Sequence, residues 1–367
     1  MQCLSKYRDT APGTTEPLQE DENVKHEQRL RLSPRRALAL TCLVLLGACG
    51  HSPRRDSQPP ASCQPWHSVR ANGIDIEYET FGKEGNPPLL LIMGVSVQMV
   101  FWDEEFIEQL VQRGFRVIRF DNRDVGRSTH FRSAGVPSEA LSSQGATSGR
   151  QPDVPYLLSD MAADAAGLLD ALGLKAAHVV GLSMGGMIAQ ELAIRHPERV
   201  LSLTSLMSTT SDPSLPGPKP ELLPLFRQEP ARDREQAIEQ SMRLFRAIAS
   251  PGFPLDEAGL RKKLTLSYDR CYDPEGTIRQ QAAIMASGSR KQALASVKAP
   301  SLVIHGKEDP VIPVEAGIDT ARSIPGAELL VVEGLGHDLP REVWPQIVEA
   351  IAANAARAPA STSIRSE

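Results

Sequence analysis

The chain has 367 residues, 41% hydrophobic and 23% charged, the proportions of a globular protein with room for one large domain or two ordinary ones. A formal net charge of −5 leaves no basic excess to neutralise phosphates, which argues against a general nucleic-acid binder. The cysteines Cys3, Cys42, Cys49, Cys63 and Cys271 include no Cys-x-x-Cys pair, which argues against a structural zinc site.

Residues 1–28 are polar, mixed in charge and aperiodic. Arg29, Arg31, Arg35 and Arg36 then precede an apolar run from Ala37 to Leu46 and the small residues Gly47-Ala48-Cys49. A basic region, an apolar run of about ten residues and a small-residue site make the layout of a secretory signal. The run is too short for a comfortable membrane span. Leu46-Gly47-Ala48-Cys49 also resembles a bacterial lipobox, whose cysteine is lipidated and becomes the mature N-terminus. On this reading residues 1–49 are leader and signal, and Cys49 anchors an exported protein to a membrane facing the periplasm. The polar leader departs from the layout, since signals begin near the chain start, and the alternative is a buried helix in a cytoplasmic protein. Residues 50–66, rich in Pro, Ser and Arg, read as a tether. In an exported domain Cys63 and Cys271 are available to pair as a disulfide.

The folded region is expected from His67. Val69 and Ile74–Thr80, split by Asn72-Gly73, read as a hairpin. Pro88–Met93 is a continuous apolar run, as for a strand buried on both faces. Phe106, Ile107, Leu110 and Val111 mark a helix that Gly114 caps, and Phe115–Phe120 is the next strand. Ser133–Asp153 is a long polar loop. Met161, Ala165, Leu168, Leu169 and Leu172 give a further helix, followed by strands at 177–182 and 200–206. Strands alternating with helices imply a mostly parallel α/β sheet with helices on both faces.

Between about Asp212 and Ala299 the alternation stops, after a run containing Pro213, Pro216, Pro218 and Pro220. Helical periods then follow through Ile238, Met242, Phe245 and Ile248, through Leu260, Leu264 and Tyr268, and through Ile278, Ala282 and Met285. Residues 212–299 therefore read as a helical cap inserted between a first core part, 67–211, and a second, 300–356. Strands resume at Ser301–Ile304 and Glu328–Val332, and a last helix turns Val343, Trp344, Ile347, Val348 and Ile351 inward. Residues 357–367 form an Ala/Ser-rich tail expected to fray.

The stretch Gly181-Leu-Ser183-Met-Gly185-Gly186 joins an apolar strand to a helical period, with serine at the turn. This is the nucleophile-elbow pattern, which exposes a serine hydroxyl at a strand tip. A serine hydroxyl needs an adjacent base, itself oriented by a third group. Downstream strand ends carry Asp309, before Pro310, and His337, in the Gly-rich Glu333–Gly336 loop. The carboxyl ends of strands line one crevice in an open α/β sheet, so Ser183, Asp309 and His337 are expected to meet there. Glu308 and Asp212 are the rival acids. Asp338 reads as a turn residue and His305 as a structural histidine. Oxyanion donors are expected from the backbone N–H groups of Met184 and of Val95, in the loop after Pro88–Met93.

The stretches Leu91–Gly94, Arg119–Ser128 and Gly181–Gly186 are similar to those of the α/β-hydrolase fold superfamily, in the capped branch of esterases related to aclacinomycin methylesterase. The resemblance runs from about His67 to Ala355. It implies a Ser-His-Asp hydrolase with a helical cap over the pocket, and makes Asp121–Ser128 a structural turn. Met93-Gly94 stands where His-Gly is widespread, as in the methylesterase-like branch.

The expected activity is hydrolysis of a small-molecule carboxylic ester through an acyl-enzyme, without metal or organic cofactor. C–C bond hydrolysis or perhydrolysis with the same triad is the alternative, and a non-catalytic binding protein the minor one. Phe101, Trp102, Phe245, Tyr268 and Met285 are candidate apolar walls of the pocket.

Overall fold

The computed structural model describes residues 67–137, 153–226 and 228–359. The signal, Cys49, the tether with Cys63, most of the 133–153 loop and the end of the tail lie outside the described residues. Eight strands form one sheet: β1 (Ser68–Ala71), β2 (Ile74–Phe81), β3 (Pro88–Ile92), β4 (Arg116–Phe120), β5 (Ala177–Leu182), β6 (Val200–Leu206), β7 (Ser301–Gly306) and β8 (Glu328–Val332). Their order is β1-β2-β4-β3-β5-β6-β7-β8, with the β1–β2 and β2–β4 pairs antiparallel and the pairs from β4–β3 to β7–β8 parallel. The helices are α1 (Glu104–Gln112), α2 (Leu158–Ala171), α3 (Met184–Arg195), α4 (Leu223–Phe226), α5 (Arg234–Ile248), α6 (Glu257–Arg270), α7 (Pro274–Ser287), α8 (Val314–Ser323) and α9 (Trp344–Ala356).

The β1–β2 hairpin turns on Asn72 and Gly73, both at positive φ, as a two-residue turn between right-twisted strands requires. The parallel strands are apolar on both faces because both faces are covered. Leu90 and Ile92 of β3 pack with Leu168 and Leu169 of α2 and Ile188 of α3. Leu89 and Leu91 point the other way, toward Phe106 and Ile107 of α1 and Ile347 and Ile351 of α9.

After β3 the chain crosses to β4 on one side and returns to β5 on the other. That reversal opens a crevice at the carboxyl ends of β3 and β5, where ligands bind in open α/β sheets. The segments bearing Val95 and Ser183 emerge at this point.

Helices α4 to α7 stand between β6 and β7. Ile238 and Met242 of α5 and Leu260 and Leu264 of α6 form a small core of their own, with Phe101 against it. In α7 the buried face differs from the expected apolar period. It runs through Gly276, Arg279, Gln280, Ala282 and Ala283, whereas Met285 is 50% exposed. The reason is a polar contact with the turn after β4. Arg279 pairs with Asp124 through Nε–Oδ2 and Nη2–Oδ1, both at 2.9 Å, with neither side chain exposed. A Cβ on Gly276 would stand 2.1 Å from the Asp124 carbonyl oxygen, so this approach requires glycine. Apolar periodicity is blind to a helix face that docks through charge.

Among the described residues no helix is long and apolar enough to cross a membrane. Cys271, just past α6, is disulfide-bonded.

Candidate active site

Ser183 joins β5 to α3 with φ 57° and ψ −120°, a strained conformation for a residue with a side chain. The surrounding glycines make that turn sterically possible. A Cβ on Gly181 would lie 2.0 Å from the Gly185 carbonyl oxygen, one on Gly185 2.1 Å from that of Ile92, and one on Gly186 2.5 Å from the Ser208 Cβ. The strain is held by two bonds from β6 and its end. Ser183 N–H donates to the Leu206 carbonyl at 2.9 Å, and Ser208 Oγ donates to the Ser183 carbonyl at 2.8 Å.

The structure brings Ser183, His337 and Asp309 together from three strand ends. His337 Nε2 lies 3.1 Å from Ser183 Oγ, and its Nδ1 lies 2.7 Å from Asp309 Oδ2. Asp309 Oδ1 accepts the N–H groups of Val311 and Ile312 at 2.8 and 2.9 Å, which fixes the carboxylate behind the ring. The rival acids are engaged elsewhere. Glu308 Oε2 accepts from Gly334 N–H at 2.6 Å, and Asp212 accepts from Ser214 and lies 3.2 Å from Lys291. His305 is fully buried, its Nε2 2.7 Å from the Ile312 carbonyl. Burial holds its imidazole below the usual range, so it packs neutral.

A Cβ on Gly94 would lie 3.3 Å from Ser183 Cβ, so the loop after β3, expected to supply an oxyanion donor, passes directly beside the serine. Met184 N–H belongs to the first turn of α3, where amides have no intrahelical acceptor. Among the described residues Val95 N–H also donates to no carbonyl. The Met184 and Val95 amides are thus available on the segments that flank the serine.

Asp338 lies in the bend after His337, as expected, and in addition anchors the cap. Its Oδ1 accepts from Ser250 N–H at 3.0 Å and from Ser250 Oγ. Ser250 Oγ in turn accepts Gly336 N–H at 2.8 Å, and His337 N–H donates to the Ile248 carbonyl at 2.8 Å. Burial raises the Asp338 carboxyl, opposed by the Ser250 bonds. Gly252 N–H donates to the Gly334 carbonyl at 2.9 Å, so the segment leaving α5 runs along the whole histidine loop. The sequence signal for this was slight: Ser250 and Asp338 are 88 positions apart and neither sits in a motif.

Asp121–Ser128 is a turn braced from within and by the segments packed around it. Asp121 accepts from Met99 N–H at 2.8 Å and Arg127 N–H at 3.0 Å, and Ser128 Oγ donates to the Asp121 carbonyl at 2.6 Å. Asn122 Nδ2 donates to the Met93 carbonyl at 2.9 Å, tying this turn to the loop after β3. Asp124, His130 and Asp273 cluster closely enough to suggest a metal site. Both carboxylates are already ion-paired, Asp124 with Arg279 at 2.9 Å and Asp273 with Arg132 at 3.0 Å.

Ser183 and His337 lie on the wall of a cavity of about 980 Å³ roofed by the cap. Phe101 and Phe245 line it, their rings stacked with centroids 5.4 Å apart. Of the other expected walls, Trp102 is packed in the core and Tyr268 and Met285 do not reach the cavity. Leu182, Ile248, Val311 and Trp344 complete the apolar surface near the serine.

Residues 87–340 match the alpha/beta hydrolase fold family. The chain is 31% identical over 309 residues to rhodomycin D methylesterase of Streptomyces peucetius, covering 79% of this chain and 98% of that one. It is 29% identical over 236 residues to 2-hydroxy-6-oxononadienedioate/2-hydroxy-6-oxononatrienedioate hydrolase of Cupriavidus pinatubonensis, covering 63% and 73% of the two chains. Among solved structures, a meta-cleavage product hydrolase of Pseudomonas fluorescens shares the fold with a TM-score of 0.60 at 22% identity, over 79% of this chain and 97% of that one. The chain belongs to the α/β-hydrolase fold family, in a branch of esterase-type enzymes.

Proposed function

We propose that the protein hydrolyses a carboxylic ester through an acyl-enzyme on Ser183. The observation that carries this reading is His337, whose two ring nitrogens reach Ser183 Oγ at 3.1 Å and Asp309 at 2.7 Å on the wall of one cavity. Ser183 Oγ attacks the acyl carbonyl carbon while His337 Nε2 takes its proton. Asp309 holds Nδ1–H and stabilises the imidazolium without taking up the proton. The carbonyl oxygen, now an oxyanion, receives the N–H groups of Met184 and Val95. The C–O bond breaks, and the alcohol leaves with the proton from Nε2. Water then attacks the acyl-enzyme with His337 as base, releasing the acid and restoring the serine.

The cavity is large enough for a drug-sized molecule, and its walls are mainly apolar. Together with the methylesterase relative, this favours a small alkyl ester of a bulky apolar acid. Hydrolysis of p-nitrophenyl esters from acetate to palmitate and of methyl esters of polycyclic aromatic acids, beside Ser183→Ala, tests both parts. Turnover that survives in Ser183→Ala refutes the acyl-enzyme, and a preference for the smallest acyl groups refutes the bulky acid. The C–C hydrolase relative supports a second reading, cleavage of a vinylogous β-diketone by the same groups. Turnover of such a substrate exceeding that of every ester would establish it instead.

The chain is further proposed to be an exported lipoprotein anchored through Cys49. Its support is the signal-like layout of residues 29–49 and the disulfide at Cys271, a bond rare in reducing cytoplasm. Cys49→Ala is expected to move the protein from the membrane to the soluble fraction. An unchanged distribution refutes the anchor.

A further inference from the structure

The oxyanion loop has little bonding of its own. Ser96, next to Val95, stands at φ +62°, a left-handed conformation that is strained for a non-glycine residue and persists only when neighbours fix it. The fixing comes from the cap. Gln280, on α7 and fully buried, accepts Ser96 N–H on its Oε1 at 2.8 Å and donates from Nε2 to the Arg123 carbonyl at 2.7 Å. On the other side of Gly94-Val95, Asn122 holds the Met93 carbonyl.

The bonding within the loop gives Gln280 its consequence. Ser96 N–H is committed to Gln280, and Val97 N–H points to the Gly94 carbonyl at 3.4 Å. Among the described residues the Gly94 and Val95 N–H groups donate to no carbonyl, and Val95 N–H is the one read as the oxyanion donor. Release of Ser96 would free the backbone torsions of Val95 and Ser96, and the loop conformation that orients the adjoining 94–95 peptide, which bears the Val95 N–H, would no longer be fixed. The residue type suits the task, because a glutamine offers one acceptor and one donor group, each matched here to one backbone partner. Its mount is rigid, since Arg279, the preceding residue, locks α7 to Asp124 with a buried two-point ion pair.

We infer that Gln280 is a positioning residue of the oxyanion hole, through which the cap sets the direction of the Val95 amide without touching the reacting atoms. The inference rests on the reading of Ser183 as nucleophile and of Val95 N–H as oxyanion donor. It predicts a defect in the transition state rather than in substrate binding. A purely structural contact would instead lower the melting temperature and leave turnover per folded molecule unchanged.

The test compares the full chain with Gln280→Met, which has similar length and no acceptor, and Gln280→Glu, which keeps an acceptor for Ser96 but loses the amide donor. The readouts are kcat and KM on a p-nitrophenyl ester, the rate of Ser183 labelling by a fluorophosphonate, and thermal melting. Loss of a direct oxyanion donor costs about a hundred- to a thousand-fold, so loosening one is expected to cost Gln280→Met about ten- to a hundred-fold in kcat. KM is expected to stay within about two-fold, because the lost interaction acts only in the transition state. Labelling should slow in parallel with kcat, and Gln280→Glu should recover most of the loss. Should Gln280→Met not fold, Gln280→Asn, one methylene too short to reach Ser96, takes its place with the same expected loss. A folded Met or Asn variant with wild-type kcat overturns the inference, as does a rise in KM alone or a loss that Glu does not recover. A wild type that neither turns over esters nor labels at Ser183 overturns the underlying reading as well.

Discussion

The backbone amide of His337 donates to the carbonyl of Ile248 at 2.8 Å, so the loop bearing the imidazole hangs from the last turn of cap helix α5. Through Gln280, which holds Ser96, the cap also bonds to the loop after β3. On the proposed mechanism it is then part of the catalytic frame as well as the roof of the pocket.

Ser250 carries the side-chain share of the histidine contact. Ser250→Ala strands the buried Gly336 amide and removes a donor from the half-buried Asp338. Stranded buried polar groups cost about 1–3 kcal/mol, so a lower melting temperature is expected together with a several-fold fall in kcat. Thermal melting and steady-state kinetics check this, and a variant unchanged in both contradicts it.

The two neighbouring acids separate cleanly. Asp309→Asn disturbs the imidazole tautomer and should lower kcat by about 10⁴-fold, as loss of the triad carboxylate does elsewhere. Glu308→Gln keeps an acceptor for Gly334 N–H and should stay within a few-fold of wild type. The opposite order in kcat would transfer the acid role to Glu308.

Gly185→Ala places a methyl 2.1 Å from the Ile92 carbonyl oxygen, which no rotamer relieves because the obstacle is backbone. The elbow must open or the helix shift, so loss of soluble protein or of all turnover is expected. A soluble, fully active Gly185→Ala would show that the turn is not held as tightly as the contacts indicate.

Acid stability follows from a buried histidine. Burial lowers His178 to about 4, and it lowers His305 in the same direction. Below the ordinary value near 6.5 the unfolded chain takes up protons that the folded chain refuses. The stabilising contribution is therefore complete above pH 6.5 and is lost as pH falls toward 4, with an upper bound of about 3 kcal/mol for His178. The melting temperature should decline across that window, and His178→Gln should flatten the decline. A wild-type melting temperature that rises on acidification contradicts this.

The sequence was most legible where one residue type has one physical use. Gly181 and Gly185 mark the elbow because no side chain fits, and the apolar β3 and β5 strands declare a sheet covered on both faces. The Ser, Asp and His were readable because each ends or follows a strand, and parallel strands bring such ends together. Side chains that act across the chain left no such trace. Gln280 meets Ser96 from 184 positions away, and Asp338 meets Ser250 from 88. Nothing local distinguishes them from surface polar residues, and α7 showed its true face only through Arg279 and Asp124.

The most direct test of the triad is trapping of the acyl-enzyme. Rapid mixing with a p-nitrophenyl ester, acid quench and intact mass measurement should show one acyl group, located on Ser183 by peptide mapping, with a burst of p-nitrophenol equal to enzyme. In Ser183→Ala both adduct and turnover should vanish. Hydrolysis at an undiminished rate in Ser183→Ala, or an acyl group carried by another residue, would contradict the account.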